Sequence, residues 1–202
     1  DLVAMSAAQI AALTTAQVQN LGLAQIAALT TAQIRALETT DLAVLSAAQL
    51  DALTTAQAAA LTTAQIQALT TAQVSALALA DLQALGTTQI EAFETADIAA
   101  MTTDQIAALT SVQVQALSAA QLQALTTAQT AALETVDLAA LSPTQIAQLE
   151  TADIAALTAA QIVALTSAQV AALTTAQIAA LTSEQIGALQ TQDLQALSTA
   201  QV

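Results

Sequence analysis

A strict eight-residue repeat constrains this chain more than any other feature. A typical octad begins at Leu61 and reads Leu-Thr-Thr-Ala-Gln-Ile-Gln-Ala, and its residues are numbered here as octad positions 1 to 8. Position 1 is Leu from residue 13 to residue 197, with Phe93 and Met101 as the substitutes, and Met5 precedes this run. Position 5 is always Gln or Asp, and position 6 is a larger aliphatic residue except at Ala58 and Thr130. The spacing never slips, so one structural unit is predicted to recur about twenty-five times.

Each octad carries a signal for the start of a helix. In the unit above, Thr62 can cap the backbone N–H three residues later, while the side chain of Gln65 reaches back to the N–H of the cap. The octad containing Ser142, Pro143 and Gln145 repeats the signal, and Pro is favoured at the first helical position. These five residues are therefore predicted to be structural capping residues, with a helix of roughly two turns in every octad.

Two other folds are less consistent with the repeat. In a continuous helix, eight residues at about 100° each overshoot two turns by about 80°, so the Leu side chains would spiral and form no buried stripe. Paired Thr residues would also compete with the backbone inside such a helix. A β-solenoid is disfavoured because Ala, Gln and Leu dominate the unit and strand alternation is missing.

The predicted fold is an all-α solenoid, or superhelix, of about twenty-five short capped helices, one per octad. A helix this short is unstable alone in water, so its Leu and Ile or Val side chains are expected to form an aliphatic seam with neighbouring units. Residues 1–202 are expected to form a single continuous array, cut from a longer repeat tract. The variable position 7 is expected to face solvent.

Positions 2 and 5 of the octad vary together. Position 5 is Gln wherever position 2 is Ser, Thr or Gly, and it is Asp in six octads with another residue at position 2. The six pairs are Glu38/Asp41, Ala78/Asp81, Glu94/Asp97, Glu134/Asp137, Glu150/Asp153 and Gln190/Asp193. This covariation indicates that the two side chains share one hydrogen-bonding space at each helix start. The Asp octads recur at matching places in 56-residue blocks, which indicates either gene duplication or stacking at fixed places on the superhelix.

Composition excludes several classes of function. The chain has fifteen carboxylates against the single cation Arg35, a net charge of −14 that disfavours binding to nucleic acid or anionic membranes. No apolar stretch is long enough for membrane insertion. Because His, Cys, Lys and Tyr are absent and no glycine-rich loop occurs, no catalytic residues and no cofactor are predicted.

Two binding functions remain as alternatives to a structural role. Ranked Thr side chains could bind ice, and the Glu/Asp pairs could bind calcium weakly through their carboxylate oxygens. The candidate calcium ligands are Glu38, Asp41, Glu94, Asp97, Glu134, Asp137, Glu150 and Asp153. Helix capping explains these carboxylates more simply.

The recurring Leu-Thr-Thr-Ala-Gln-Ile-Ala-Ala pattern resembles octad tracts in long, repetitive bacterial secreted or surface proteins described as adhesion or haem-utilisation proteins. The resemblance covers the whole chain. It implies an extracellular or cell-surface location and a role as spacer, stalk or assembly element. The expected partners are neighbouring repeats of the parent chain or further copies of this one.

Overall fold

The computed structural model describes residues 2–202, which form short helices and contain no strand. They divide into two compact units, one ending at Met101 and the other spanning Thr102–Val202. The first unit contains a 3-10 helix, Leu2–Ala4, and α1 Ala7–Ala11, α2 Thr15–Gln19, α3 Leu23–Ala27, α4 Thr31–Ala36, α5 Thr39–Ala43, α6 Ala47–Asp51, α7 Thr55–Ala60, α8 Thr63–Gln67, α9 Thr71–Ser75, α10 Leu79–Ala84, α11 Thr87–Ala92 and α12 Thr95–Ala100. The second contains α13 Thr103–Ala107, α14 Ser111–Gln115, α15 Ala119–Gln123, α16 Thr127–Ala132, α17 Thr135–Ala140, α18 Pro143–Gln148, α19 Thr151–Ala156, α20 Ala159–Ala164, α21 Ser167–Ala172, α22 Thr175–Ala180, α23 Ser183–Ala188 and α24 Thr191–Ala196.

Two or three residues separate successive helices, and in the two-residue links both residues are extended. Before α8, Leu61 has φ −56° and ψ 138°, and Thr62 has φ −76° and ψ 160°. Positions 1 and 2 of each octad therefore lie in the link, and its α-helix has five or six residues, where roughly two turns were predicted. Within residues 2–202 every peptide bond is trans and no residue has a positive φ. The links thus need no special glycine conformation.

Within each unit, helices pack against the helix three octads further along the chain. In the first unit α1 packs on α4, α4 on α7 and α7 on α10; in the second α14 packs on α17 and α18 on α21. Side chains of one octad also reach the end of the helix four octads earlier, as described below. Within each unit, one turn of the stack therefore contains between three and four octads.

Octad positions 1 and 6 form the core of both units. Ile66 is fully buried and Leu69 is 5 % exposed, while Gln67 at position 7 is exposed. Burial of two aliphatic side chains per octad stabilises helices that could not persist alone. The all-α prediction of a solenoid of short capped helices is confirmed, and the continuous-helix and β-solenoid alternatives are wrong.

Candidate functional site

The position-5 glutamines are the most highly organised polar groups in the structure, and Gln65 shows their geometry. Its Oε1 atom accepts hydrogen bonds from the backbone N–H of Thr62 at 2.9 Å and from the Thr62 hydroxyl at 3.2 Å. In return, the Thr62 Oγ1 atom accepts the backbone N–H of Gln65 at 3.2 Å. The amide oxygen of Gln65 thus takes part in the N-terminal cap of its own helix, α8.

The other half of the amide binds the preceding turn. Gln65 Nε2 donates to the carbonyl oxygens of Ile34, at 2.8 Å, and Leu37, at 2.9 Å. Both carbonyls lie at the C-terminal end of α4, where the usual donor four residues further along the helix is missing. Since Gln65 is only 2 % exposed, these bonds lie inside the protein. A single side chain therefore caps one helix at its N-terminus and another at its C-terminus.

The same arrangement recurs in both units, and these residues are called the glutamine row. Nε2 lies 2.7–2.9 Å from the position-1 carbonyl 28 residues earlier in the first unit. The corresponding distance is 2.7–3.1 Å for the second-unit members up to residue 185. Members of the row include Gln33, Gln49, Gln57, Gln65, Gln73 and Gln89, and then Gln145, Gln161, Gln169, Gln177, Gln185 and Gln201.

The Pro-containing octad belongs to this row. Pro143 is the first residue of α18, and Ser142 caps that helix by accepting the backbone N–H of Gln145 at 3.2 Å. Gln145 Oε1 accepts the backbone N–H of Ser142 at 2.9 Å, and its Nε2 donates to the carbonyl of Leu117 at 3.1 Å. At Gly86 no side-chain cap exists, yet its N–H still donates to the glutamine three residues later.

Sequence reasoning missed the inter-turn half of the glutamine row. The signal was available, because a capping box accepts Glu as well as Gln, whereas position 5 contains Gln or Asp and never Glu. A requirement for capping alone would not exclude Glu. A side chain as long as Gln or Glu lies beside two backbone carbonyls and needs an N–H donor there, which Glu lacks.

The Asp octads lack this donor. Asp41 and Asp153 are each 1 % exposed, and in both the Oδ2 atom is buried without a hydrogen-bond partner. Burial raises the pKa of both carboxyls above 3.8, against the opposing effect of a backbone hydrogen bond at the helix start. Burial likewise raises the pKa of Asp81 and that of Asp97, whose Oδ2 accepts the N–H of Glu94 at 3.1 Å.

The candidate calcium ligands do not converge on a larger cluster. In each Glu/Asp pair the Asp is buried and the Glu is exposed, as for Glu38 with Asp41 and Glu134 with Asp137. Glu94 and Glu150 are likewise exposed, and their partners Asp97 and Asp153 are buried. Within residues 2–202 no three acidic side chains come close enough to surround a metal ion. Each pair thus offers two carboxylates with unequal access to solvent.

A small cavity in the first unit is lined entirely by aliphatic side chains, among them Val18, Ile26 and Leu42. Of the helices in the described part of the chain, none has both the length and the hydropathy to cross a membrane. What the site can do chemically is hold successive turns together through hydrogen bonds that are shielded from water.

Repeated short helices, an aliphatic core and a buried row of amides that links turns define a helical repeat protein of the solenoid class. The family model of the ALTTAQ repeat matches the sequence six times, at residues 1–31, 34–71, 74–111, 130–167, 146–183 and 162–191. The chain belongs to the ALTTAQ repeat family. No curated protein matches it.

Proposed function

We propose that this repeat protein is a non-catalytic spacer, stalk or assembly element of a larger bacterial surface or secreted protein. The glutamine row is the observation that supports this role. Each amide of the row donates hydrogen bonds to two backbone carbonyls of the preceding turn. Every added octad therefore extends the stack by the same set of contacts. A structure built in this way is suited to setting a distance.

The distribution of charge supports the same role. The charged side chains at position 2, such as Glu38 and Glu94, are exposed, while core positions 1 and 6 are aliphatic. The net charge of −14 repels nucleic acid and anionic lipid. Partners are proposed to be neighbouring repeats of a parent chain or other copies of this chain, outside the cell or at its surface.

The spacer role predicts that length follows the number of octads. Deletion of residues 94–149, which removes seven whole octads, should reduce the maximum dimension measured by small-angle X-ray scattering in proportion to the residues lost. Circular dichroism of the shortened chain checks that helicity per residue is unchanged. A maximum dimension that stays constant, or scattering from a compact sphere, would contradict a spacer.

A repetitive polar surface that binds ice is the second candidate. The cap hydroxyls are already engaged, as Thr62 shows, but the Thr at position 3 is exposed in octad after octad, including Thr55, Thr63 and Thr71. These side chains could form ranked hydroxyl and methyl groups. A thermal-hysteresis measurement at high protein concentration decides the point, and a value of zero removes this candidate.

Calcium binding by the Glu/Asp pairs has weaker support because each pair supplies only two carboxylates, whereas calcium takes six to eight oxygen ligands. Calorimetric titration of the full chain with calcium provides the test. Neither heat nor a change in melting temperature is expected.

A further inference from the structure

Position 6 of one octad and position 5 of a later octad are linked in the sequence. Position 6 is smaller than Ile or Leu in six octads that have a counterpart 23 residues later, and that counterpart is Asp every time. Wherever position 6 is Ile or Leu and the counterpart lies within the sequence, the counterpart is Gln. The six pairs are Val18/Asp41, Ala58/Asp81, Val74/Asp97, Val114/Asp137, Thr130/Asp153 and Val170/Asp193.

The structure places both members of each pair on helices that pack together. The helix pairs are α2 with α5, α7 with α10 and α9 with α12 in the first unit, and α14 with α17, α16 with α19 and α21 with α24 in the second. The six small residues are 0–2 % exposed and the six Asp residues 1–5 % exposed. Both members are therefore buried at the same helix–helix contact.

Direct contacts identify what the Asp side chain meets there. The side chain of Thr130, the small residue paired with Asp153, lies near enough to that carboxyl to lower its pKa, while the Thr130 hydroxyl donates to the Thr126 carbonyl at 3.3 Å. Asp137 accepts a hydrogen bond from the hydroxyl of Ser111, which lies one helical turn before the small residue Val114. The same bond joins Asp193 and Ser167, at 2.7 Å. The Asp carboxylate thus lies over the first turn of the earlier helix, on the face formed by positions 3 and 6.

A second sequence feature, a Ser or Thr at position 3 of the earlier octad, also accompanies all six Asp residues. The residue 26 positions before the Asp is Ser or Thr in each case, whereas Ala, Leu or Pro occurs there before several glutamines. The six hydroxyl residues are Thr15, Thr55, Thr71, Ser111, Thr127 and Ser167. In each case the helix that packs against the Asp octad therefore has a small residue and a hydroxyl residue on one face, and Ser111 and Ser167 are the hydroxyl residues seen to bond to the Asp.

Side-chain length and hydrogen bonding explain why Asp is paired with a small residue at position 6 and Gln with Ile or Leu. Gln is long enough to reach backbone carbonyls 28 and 31 residues earlier, as Gln65 does, and its methylene groups can pack beside a full-sized Ile or Leu. Asp is one methylene shorter and has no N–H. Against the extra methyl of Ile, its carboxylate would lose solvation without gaining a partner. Gln opposite Val or Ala would instead leave the contact underpacked.

We propose that the six Asp residues and the small residues 23 positions earlier are paired recognition elements, which determine which octad of one turn stacks on which octad of the next. This inference rests on the proposed structural role of the stack. Most octads are nearly identical, so a slip by one octad would preserve the aliphatic core. The same slip would place an Asp against Ile or Leu, and this mismatch selects the native stacking.

The 56-residue spacing of the pairs fits this role. Val18/Asp41, Val74/Asp97 and Thr130/Asp153 form one series at that spacing, and the other three pairs form a second. Duplication of a block copies both members together. Within a series the small residue has nevertheless changed, from Val to Thr or from Ala to Val, and has stayed smaller than Ile.

A double-mutant cycle in the full chain tests the pairing. Val18→Ile and Asp41→Gln are made singly and together, and hydrogen exchange of amides in α2 and α5 reports local opening. Each single change should raise the opening constant about tenfold, within the range for coupled neighbours, and the double variant should return close to the original value. The matched control cycle uses Ile34→Val and Gln57→Asp on α4 and α7, where the combined change should again cost less than the product of its parts.

Multiplicative effects in both cycles would overturn the pairing proposal. The scattering measurement on the shortened chain remains an independent test of the spacer. If the cycles are multiplicative while length still follows octad number, the recognition role fails and the spacer stands. If coupling is found while length does not follow octad number, the spacer fails and the pairing is a feature of folding alone.

Discussion

Replacement of Gln65 by Glu isolates the inter-turn half of the glutamine row. The change preserves side-chain length and one acceptor oxygen for the Thr62 N–H, so the capping bond at the start of α8 can persist. It removes the donor that lies 2.8 Å from the Ile34 carbonyl and 2.9 Å from the Leu37 carbonyl. At neutral pH a carboxylate then faces two backbone oxygens at a site that is 2 % exposed.

The expected loss of stability can be worked from these contacts. The Ile34 carbonyl still accepts the N–H of Leu37 at 3.2 Å, whereas the Leu37 carbonyl loses the amide that binds it. A buried group left without its hydrogen bond costs about 1–3 kcal/mol. Burial of an uncompensated charge raises the cost to about 3–5 kcal/mol. The total is a large part of the stability of an ordinary domain, about 5–15 kcal/mol.

Gln17→Glu is the matched control. The Oε1 atom of Gln17 accepts the same capping bonds from Thr14, at 2.8 Å from the Thr14 N–H and 3.2 Å from the Thr14 hydroxyl. Gln17 is exposed, however, because it lies in the first turn of the stack. Its replacement should change stability by no more than about 0.5 kcal/mol. Urea denaturation followed by circular dichroism measures global unfolding. Hydrogen exchange in α4 and α8 measures local opening, which matters because long repeat arrays need not unfold in one step.

The pH dependence distinguishes the lost donor from a simple packing defect. A protonated carboxyl at residue 65 can donate its O–H to a carbonyl, so the Gln65→Glu variant should recover much of its stability on acidification. Equal losses for the variants at residues 17 and 65, or no loss at either, would refute the assignment of the inter-turn bonds.

Three further predictions concern other parts of the octad. Thr62→Ala should cost about 1 kcal/mol through loss of the helix cap, whereas Thr63→Ala should change the urea midpoint very little. Leu69→Ala should cost about 2–5 kcal/mol through loss of core packing, with exposed Gln67→Ala as the neutral control in the same melts. Asp153→Asn should raise the melting temperature at pH 7. Burial raises the folded-state pKa of Asp153 above 3.8, so the cost of its buried charge is absent below about that pH and grows as the pH rises through the folded-state pKa. Acidification should therefore raise the melting temperature of the original chain more than that of the Asn variant.

The local features of this fold are encoded within a few neighbouring residues. The helix start at Thr62 depends on a side chain three positions away, and the break before it depends on Leu61 and Thr62 both being extended. Interactions of this range can be identified from a repeat pattern, because they need no knowledge of what lies in the next turn. The eight-residue spacing of Leu and Ile likewise predicted the aliphatic core.

The partners across turns were decided only by the tertiary structure. The link between helices repeats about every eight residues, and small rotations at each link add up to determine which octads meet. Nothing within a single octad states that Gln65 reaches Leu37, that Asp41 is buried while Glu38 is exposed, or that Thr130 meets Asp153. The sequence alone determined where each helix begins and which side chains are core, because these depend on local bonding and hydrophobicity; the accumulated geometry of several octads decided which turns and polar groups are joined.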